Sequence, residues 1–154
     1  VGAITWSGTG AKRGWYMNLT TSTGERVVTY PILRNKRVIF TSMIPSSSPC
    51  DFGGTSWIWE FDSETGNRPS YSVFDVNGDG VINNTDYVTV TVGGVQMTVP
   101  ANAIKSSEGI IKSPAIISSG EKEYKIASGT TGGVEVVMEK GATTRPRTAW
   151  RQLQ

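Results

Sequence analysis

Residues branched at Cβ dominate this chain. Its 154 residues include 15 valines, 12 isoleucines and 18 threonines, but only three leucines and eight alanines. β-Branched side chains have few χ1 rotamers and pack well on a pleated sheet, whereas leucine and alanine are strong helix formers. The composition therefore predicts an all-β protein, and it is a poor fit to a helix bundle or a doubly wound α/β fold.

Short strand-like runs follow one another along the chain, separated by clusters of Gly, Asn, Asp and Ser. The expected strands cover residues 14–19, 26–33, 37–44, 56–62, 87–92, 95–100, 110–118, 123–127, 134–139 and 149–153. This spacing is typical of antiparallel strands joined by tight turns. Two stretches, residues 14–28 and residues 37–66, share an outline in which strand-like runs meet a Thr-Gly turn. The similarity favours part of a β-propeller, with about two to three blades of antiparallel strands, over the alternative of a β-sandwich.

The length is that of one domain, so residues 1–154 are predicted to form a single β domain. No apolar run approaches the roughly 20 residues that span a bilayer. The first residues carry neither an initiating methionine nor the basic and apolar regions of a signal peptide. We therefore expect a mature product or a fragment of a larger protein. Residues 45–54 and 99–109 are too long for hairpin turns and are predicted as surface loops.

The sequence has no histidine and a single cysteine. Without histidine, the chain cannot form a Ser-His-Asp or Cys-His catalytic arrangement or a His-ligated zinc site. Cys50 cannot close a disulfide within the chain, and it has no basic neighbour to activate its thiol. Glu60 and Asp62 share a strand, but no nucleophile and base accompany them. No catalytic residue is predicted, and the chain is not expected to be an enzyme.

The acidic residues are concentrated in the middle third of the chain, where residues 51–100 carry seven acidic side chains and one basic side chain. Three of those acids lie in residues 75–86, D-V-N-G-D-G-V-I-N-N-T-D, which has oxygen-bearing side chains at positions 1, 3, 5, 9 and 12. Calcium takes six to eight oxygen ligands, and a tightly wound loop directs alternate residues towards one ion. Glycine at position 6 permits the sharp turn, and the backbone carbonyl of the next residue serves as a ligand. The candidate Ca²⁺ ligands are Asp75, Asn77, Asp79, Val81, Asn83 and Asp86.

Position 12 of this loop departs from the EF-hand pattern, which has a bidentate glutamate there. Asp86 is shorter than glutamate, so the sequence leaves open whether Asp86 or Asn83 closes the loop. It also leaves open whether calcium regulates the protein or only stabilises it. Magnesium is less suited, because it demands strict octahedral geometry and retains its waters.

The five tryptophans suggest an alternative function, a carbohydrate- or surface-binding extracellular module in which calcium is only structural. Trp57 and Trp59 are two residues apart, so they lie on the same face of a strand. Tryptophans in β-repeats also serve as packing between strands and blades, and the sequence does not exclude either use. The other three are Trp6, Trp15 and Trp150.

Several segments, in order, resemble the C-terminal region of the PilY/PilC-type tip adhesins of bacterial type IV pili. The resemblance is dense over residues 14–86, thin over residues 88–147, and returns at residues 150–153. The matching segments are G-W-Y-M-N-L, G-E-R-V-V-T-Y-P, R-V-I-F-T-S-M-I-P, P-C, G-G-T-S-W, D-x-x-T-G, F-D-V-N-G-D-G-V and W-R-Q-L.

The resemblance implies a modified quinoprotein-like β-propeller with a calcium loop. Its ligands would be the residues at positions 1, 3, 5, 7 and 9 of the segment, and the family often has aspartate where Asn83 stands. It also implies a role in pilus biogenesis, with calcium modulating pilus extension, retraction and surface attachment. The implied location is the bacterial cell surface, at the pilus tip or the outer membrane. The implied partners are minor pilus subunits or a host or abiotic surface, with no nucleic acid and no membrane insertion.

Overall fold

The computed structural model describes residues 4–20, 22–48 and 53–141. This part of the chain contains antiparallel strands and no α-helix, and its one 3₁₀ turn covers Asn84–Asp86. None of its helical segments has the length and apolar character required to traverse a lipid bilayer. The all-β prediction is therefore confirmed. The strands are β1 (Arg26–Val27), β2 (Ile32–Arg34), β3 (Arg37–Pro45), β4 (Gly54–Asp62), β5 (Tyr87–Val92), β6 (Val95–Pro100), β7 (Ala103–Lys105), β8 (Ala115–Ser119), β9 (Lys122–Ser128) and β10 (Val134–Lys140).

The strands form three antiparallel sheets. Sheet A has the order β1-β3-β4-β7, with β2 also paired to β3. Its centre is the β3–β4 hairpin, in which Arg37 pairs with Asp62 and Pro45 pairs with Gly54. Sheet B has the order β10-β9-β8, and sheet C is the β5–β6 hairpin.

The hydrophobic core contains residues from sheets A and B and from the segments between them. Side chains alternate along a strand, so every second residue of β3 and β4 points inward. Ile39 and Ile58, from these strands, are at most 1% exposed, and Phe74 packs in the same cluster at 0%. The other buried members of the cluster are Val73, Ile111, Ala127 and Val137.

The opposite face of sheet A carries a ladder of aromatic rings. Trp59 stacks on Phe40 and Phe61 with centroid separations of 6.4 and 6.0 Å, and Trp57 lies 6.0 Å from Trp59. Trp15 covers one end, 6.1 Å from Phe61. The predicted placement of Trp57 and Trp59 on one face of a strand is therefore confirmed.

Sheet C stands apart from the other two sheets. Among the described residues, its strands pair only with each other, from Tyr87–Pro100 to Val92–Val95. Val92 and Val95 are both 62% exposed, and residues 87–100 include no charged side chain. Gly93 and Gly94 have φ angles of 58° and 83°, as expected for the type I′ turn that suits a two-residue hairpin.

Two sequence expectations about local structure are wrong. Residues 14–19 form no strand, so the first of the two similar stretches does not repeat the structure of the second. The predicted loop at residues 99–109 contains strand β7, which pairs with Trp57 to Trp59 of β4. Most of the other expected strands are present with shifted ends. Cys50, Trp150 and the strand expected at residues 149–153 lie outside the described residues.

Candidate metal centre

Residues 75–86, which we call the acidic loop, connect the core to sheet C. Phe74, just before the loop, bridges to Glu139 of β10. The amide of Asp75 donates to the carbonyl of Met138 at 3.1 Å. The loop therefore begins directly on the edge of sheet B, and it ends where β5 begins.

Asp75 winds the first half of the acidic loop. Its Oδ1 accepts hydrogen bonds from the amides of Gly78 at 2.8 Å and Asp79 at 3.2 Å. Its Oδ2 accepts the amide of Gly80 at 2.9 Å. Gly80 has a φ of 81°, in the left-handed region that glycine enters without steric cost. The glycine at position 6 thus makes the sharp turn that the sequence predicts.

Asn77 and Asp79 lie close together on the exposed side of the loop. The side-chain nitrogen Nδ2 of Asn77 donates to Oδ2 of Asp79 at 3.1 Å and to the hydroxyl of Thr85 at 2.9 Å. The Oδ1 of Asp79 accepts the amide of Val81 at 2.7 Å. The side chain of Val81 is a hydrocarbon with no oxygen, so its predicted role as a ligand depends on its backbone carbonyl alone.

Asp86 joins the two ends of the acidic loop and is fully buried. Its Oδ1 accepts the amide of Val76 at 2.8 Å, and its Oδ2 accepts the amide of Asn83 at 2.9 Å. The side chain of Asn83 in turn accepts the amide of Thr85 at 2.7 Å. It also accepts the amide of Asp86, and this bond and the bond from the Asn83 amide to Asp86 form a capping box at the 3₁₀ turn. Asp86 therefore has a structural role in the loop besides any role as a ligand.

The donor set of the acidic loop suits a hard cation. All six candidate residues belong to one wound segment and offer only carboxylate, amide and carbonyl oxygens, which are the ligands that calcium takes. Within the described residues, no group of three or more His, Cys, Asp or Glu side chains is arranged to hold a metal. A calcium ion in this loop would therefore depend on asparagine and backbone oxygens as well as on carboxylates.

A lysine from sheet B also contacts the loop, and it was not predicted from the sequence. Lys122 Nζ donates to the carbonyl of Gly80 at 2.7 Å. The contact joins residues 42 positions apart, and no local sequence signal indicates it. A cleft of about 340 Å³ lies beside this contact, lined by Gly80, Val81, Ile82, Glu121, Lys122 and Lys140.

Glu60 belongs to a buried network of charged side chains between sheets A and B. Its carboxylate contacts the ammonium of Lys125, and its Oε2 lies 3.1 Å from Nε of Arg37. Lys125 also contacts Glu139, and all four side chains are 4% exposed or less. Burial lowers the pKa of Lys125, and its attraction to Glu60 only partly offsets this. The network pairs every charge with an opposite charge, as buried ions require.

Asp62 shapes the D-x-x-T-G turn. Its Oδ1 accepts the amides of Glu64 and Thr65 at 3.1 and 2.8 Å. Burial alone would raise the pKa of Asp62, but the hydrogen bonds from Thr65 outweigh it, and the pKa lies below its usual value. The two acids considered as catalytic candidates are thus occupied by structural contacts.

Comparisons with known proteins show that this chain is similar to pilus biogenesis proteins. No model of a known protein family matches it. Two relatives are named type IV pilus biogenesis factor PilY1. The one from Pseudomonas aeruginosa strain UCBPP-PA14 is 26% identical over 75% of the chain, and the one from strain PAO1 is 26% identical over 96% of the chain. A PilY1 homolog from Xylella fastidiosa strain Temecula1 is 26% identical over 94% of the chain. The chain spans only 11 to 12% of the length of these relatives.

One solved structure has a similar fold. The crystal structure of the Pseudomonas aeruginosa PilY1 C-terminal domain matches 81% of this chain and 22% of that chain, with a TM-score of 0.57 and 17% sequence identity. The fold of this chain is therefore similar to that of part of that domain. Together, the sequence and fold comparisons show that the chain is homologous to the C-terminal domain of PilY1, a type IV pilus biogenesis factor.

Proposed function

We propose that this region is a calcium-binding, non-enzymatic module of a type IV pilus-associated protein, and that calcium bound at the acidic loop modulates pilus biogenesis, retraction and attachment. The homology to PilY1 supports the pilus association. The observation that carries the calcium proposal is the winding of the loop, in which Asp75, Asn77 and Asp79 project from alternate positions. The bacterial cell surface is the proposed location, with minor pilus subunits or a host or abiotic surface as partners.

The hydrogen bonds of the acidic loop favour calcium over magnesium. Asp75 and Asp86 already accept backbone amides, which fixes the loop but leaves lone pairs on their oxygens. A cation that accepts irregular coordination by mixed oxygens can use such a site, whereas magnesium demands near-octahedral geometry. Asp86 is buried and bonded to both ends of the loop, so we propose that it closes the site together with Asn83.

We also propose that sheets A and B are parts of propeller blades in a longer protein, and that residues 1–154 form one β unit within it. Support comes from the antiparallel order of both sheets and from the 22% coverage of the solved PilY1 domain. A β-sandwich, with sheets A and B as its two layers around the shared core, is the alternative architecture.

Calcium titration of chelator-treated protein tests the metal site. We expect a saturable binding heat for the unaltered chain. In Asp79→Ala we expect a loss of calcium affinity of at least tenfold, because the Asp79 carboxylate is an exposed candidate ligand at the loop surface. Asp62→Ala is a matched control, since Asp62 also accepts backbone amides in a turn but lies outside the loop.

The outcomes of this titration are distinct. Calcium binding that survives in Asp79→Ala but is lost in Asp62→Ala would place the site elsewhere. The absence of binding heat in the unaltered chain, together with a melting temperature that calcium does not change, would remove the metal from the proposed function.

A second candidate function is a carbohydrate- or surface-binding module with structural calcium. The observation that favours it is the aromatic ladder, in which Trp57 and Trp59 are only half buried. Against it, the indole N–H groups of Trp59 and Trp15 donate internally, to Ser42 at 2.9 Å and to Ser63 at 3.2 Å. We expect acrylamide to quench the emission of the exposed Trp6 but only a minor part of the emission of Trp15, Trp57 and Trp59, and soluble oligosaccharides to leave the emission unchanged. Strong quenching that a bound sugar relieves would favour this second function.

A further inference from the structure

Two lysines of sheet B line the cleft beside the acidic loop. Lys122 begins β9 and Lys140 ends β10, and the register places them directly opposite each other. Like charges in such a pair repel and lower the stability of a sheet. The two side chains have different partners, since Lys140 Nζ lies 5.0 Å from the ring centroid of Tyr71, whereas Lys122 is bonded to Gly80. The pairing thus puts positive charge next to the proposed site.

Gly80 links Lys122 to the proposed ligands. Its carbonyl accepts the ammonium, while its amide donates to Oδ2 of Asp75 at 2.9 Å. The next residue is Val81, and adjacent Cα atoms are about 3.8 Å apart. Residues 75–86 contain three acidic side chains and no basic one, so Lys122 brings to the loop a cation that the loop itself lacks. Lys122 is exposed, which keeps its charge within reach of solvent ions.

We propose that the positive charge of Lys122 opposes calcium binding and so lowers the calcium affinity of the acidic loop, without Lys122 acting as a ligand. This inference rests on the proposed calcium function. In the calcium-free protein, the ammonium offsets part of the negative charge of Asp75, Asp79 and Asp86. When calcium binds, the ammonium and the divalent ion repel each other, so the loop binds calcium more weakly than its donor set alone would. Because of this weaker binding, the loop responds to changes in calcium over a range of higher calcium concentrations than it would without Lys122.

Neutralising Lys122 tests this inference. We expect Lys122→Met to bind calcium about three- to tenfold more tightly at about 0.1 M salt, because removal of a nearby like charge relieves a solvent-screened repulsion. At 1 M salt the Debye length falls from about 10 Å to about 3 Å, and the difference from the unaltered chain is expected to shrink below about twofold. Calorimetric titration at both salt concentrations gives the two ratios.

Two further variants separate charge from hydrogen bonding. Lys122→Gln can still donate to a nearby carbonyl but carries no charge, so we expect it to behave like Lys122→Met. Lys105→Met removes an exposed lysine from β7 of sheet A and is expected to leave the affinity unchanged. Without calcium, Lys122→Met is expected to melt at a lower temperature, because the acidic loop loses its compensating cation.

Each outcome decides the inference. Unchanged or weaker calcium binding in Lys122→Met, or a gain that high salt does not reduce, would show that Lys122 only supports the shape of the loop and would overturn the proposal. If neither the unaltered chain nor Lys122→Met binds calcium, the proposed function fails and this inference fails with it. Calcium binding of equal affinity in both proteins refutes the inference alone.

Discussion

Gly66 shows how strongly one residue of this chain is constrained by another that lies far away in the sequence. It ends the D-x-x-T-G turn with a φ of 68°, a conformation that side chains with a Cβ rarely adopt. A Cβ at this position would lie 2.5 Å from Cδ2 of Trp15. The glycine is therefore required both by the backbone of the turn and by the indole that packs over it.

We expect Gly66→Ala to lower the free energy of unfolding by about 2–4 kcal/mol, from left-handed strain and from the overlap with Trp15. Gly93→Ala is the matched control, since Gly93 has a similar φ of 58° but a Cβ there would meet nothing within 4 Å. That control is expected to lose only about 1 kcal/mol. Urea unfolding followed by tryptophan fluorescence measures both, and equal losses would mean that the Trp15 contact adds nothing.

The conformation of a single residue can be predicted from the sequence where its cause lies within a few neighbouring residues. The turn at Gly93 and the winding of the acidic loop follow from the positions of Gly, Asn and Asp within a few residues. The contact between Trp15 and Gly66 could not be predicted, because nothing near residue 15 specifies which turn its ring will cover. The Lys122–Gly80 bond could not be predicted for the same reason.

Strands β2 and β9 are joined by an ion pair between sheets A and B. Arg34 donates from Nη2 to Oε1 of Glu123 at 2.6 Å, and Ser118 donates to the same oxygen at 3.0 Å. Glu123 is 2% exposed. Burial would raise the pKa of Glu123, but the hydrogen bonds from Arg34 and Ser118 outweigh burial, so the pKa is lowered. The pair therefore adds stability only while Glu123 is ionised.

This ion pair predicts a pH dependence of stability. A carboxyl whose pKa is lower in the folded state contributes stability above its unfolded-state value, about 4.3 for glutamate, and loses it as the pH falls through the folded-state value. We expect Glu123→Gln to be about 1–2 kcal/mol less stable than the unaltered chain at pH 7, because Arg34 is partly exposed and its attraction is screened. The difference is expected to shrink by pH 3.

Urea unfolding at the two pH values measures the effect. Glu121→Gln is the control, since Glu121 is a neighbouring but exposed glutamate, and its stability difference from the unaltered chain is expected to be small at both values. A Glu123→Gln deficit that stays the same at pH 3 and pH 7 would contradict ionisation as its cause.

The whole molecule is a set of antiparallel sheets whose class, but not arrangement, was evident from the amino-acid sequence. Stiff Val, Ile and Thr side chains favour strands everywhere, so they predict the all-β class without specifying which strands pair. The sequence predicts a loop where strand β7 lies, because the three residues of β7 gain their order from pairing with Trp57 to Trp59. The sequence does not indicate the buried charge network either, since Glu60 and Lys125 are 65 positions apart in the chain. Strand β7 and the buried charge network both depend on contacts between residues that are far apart in the sequence.

The uncharged β5–β6 hairpin has a consequence for how this protein behaves in concentrated solution. Among the described residues no other strand pairs with its two outer edges, and the hairpin has no lysine, glutamate or inward charge to discourage another strand. Its sequence also combines high β-propensity with an absence of charge, the features of segments that assemble between molecules. We therefore expect self-association of the isolated chain to begin at sheet C, and a single charge placed on that hairpin to be the most direct way to keep the chain monomeric.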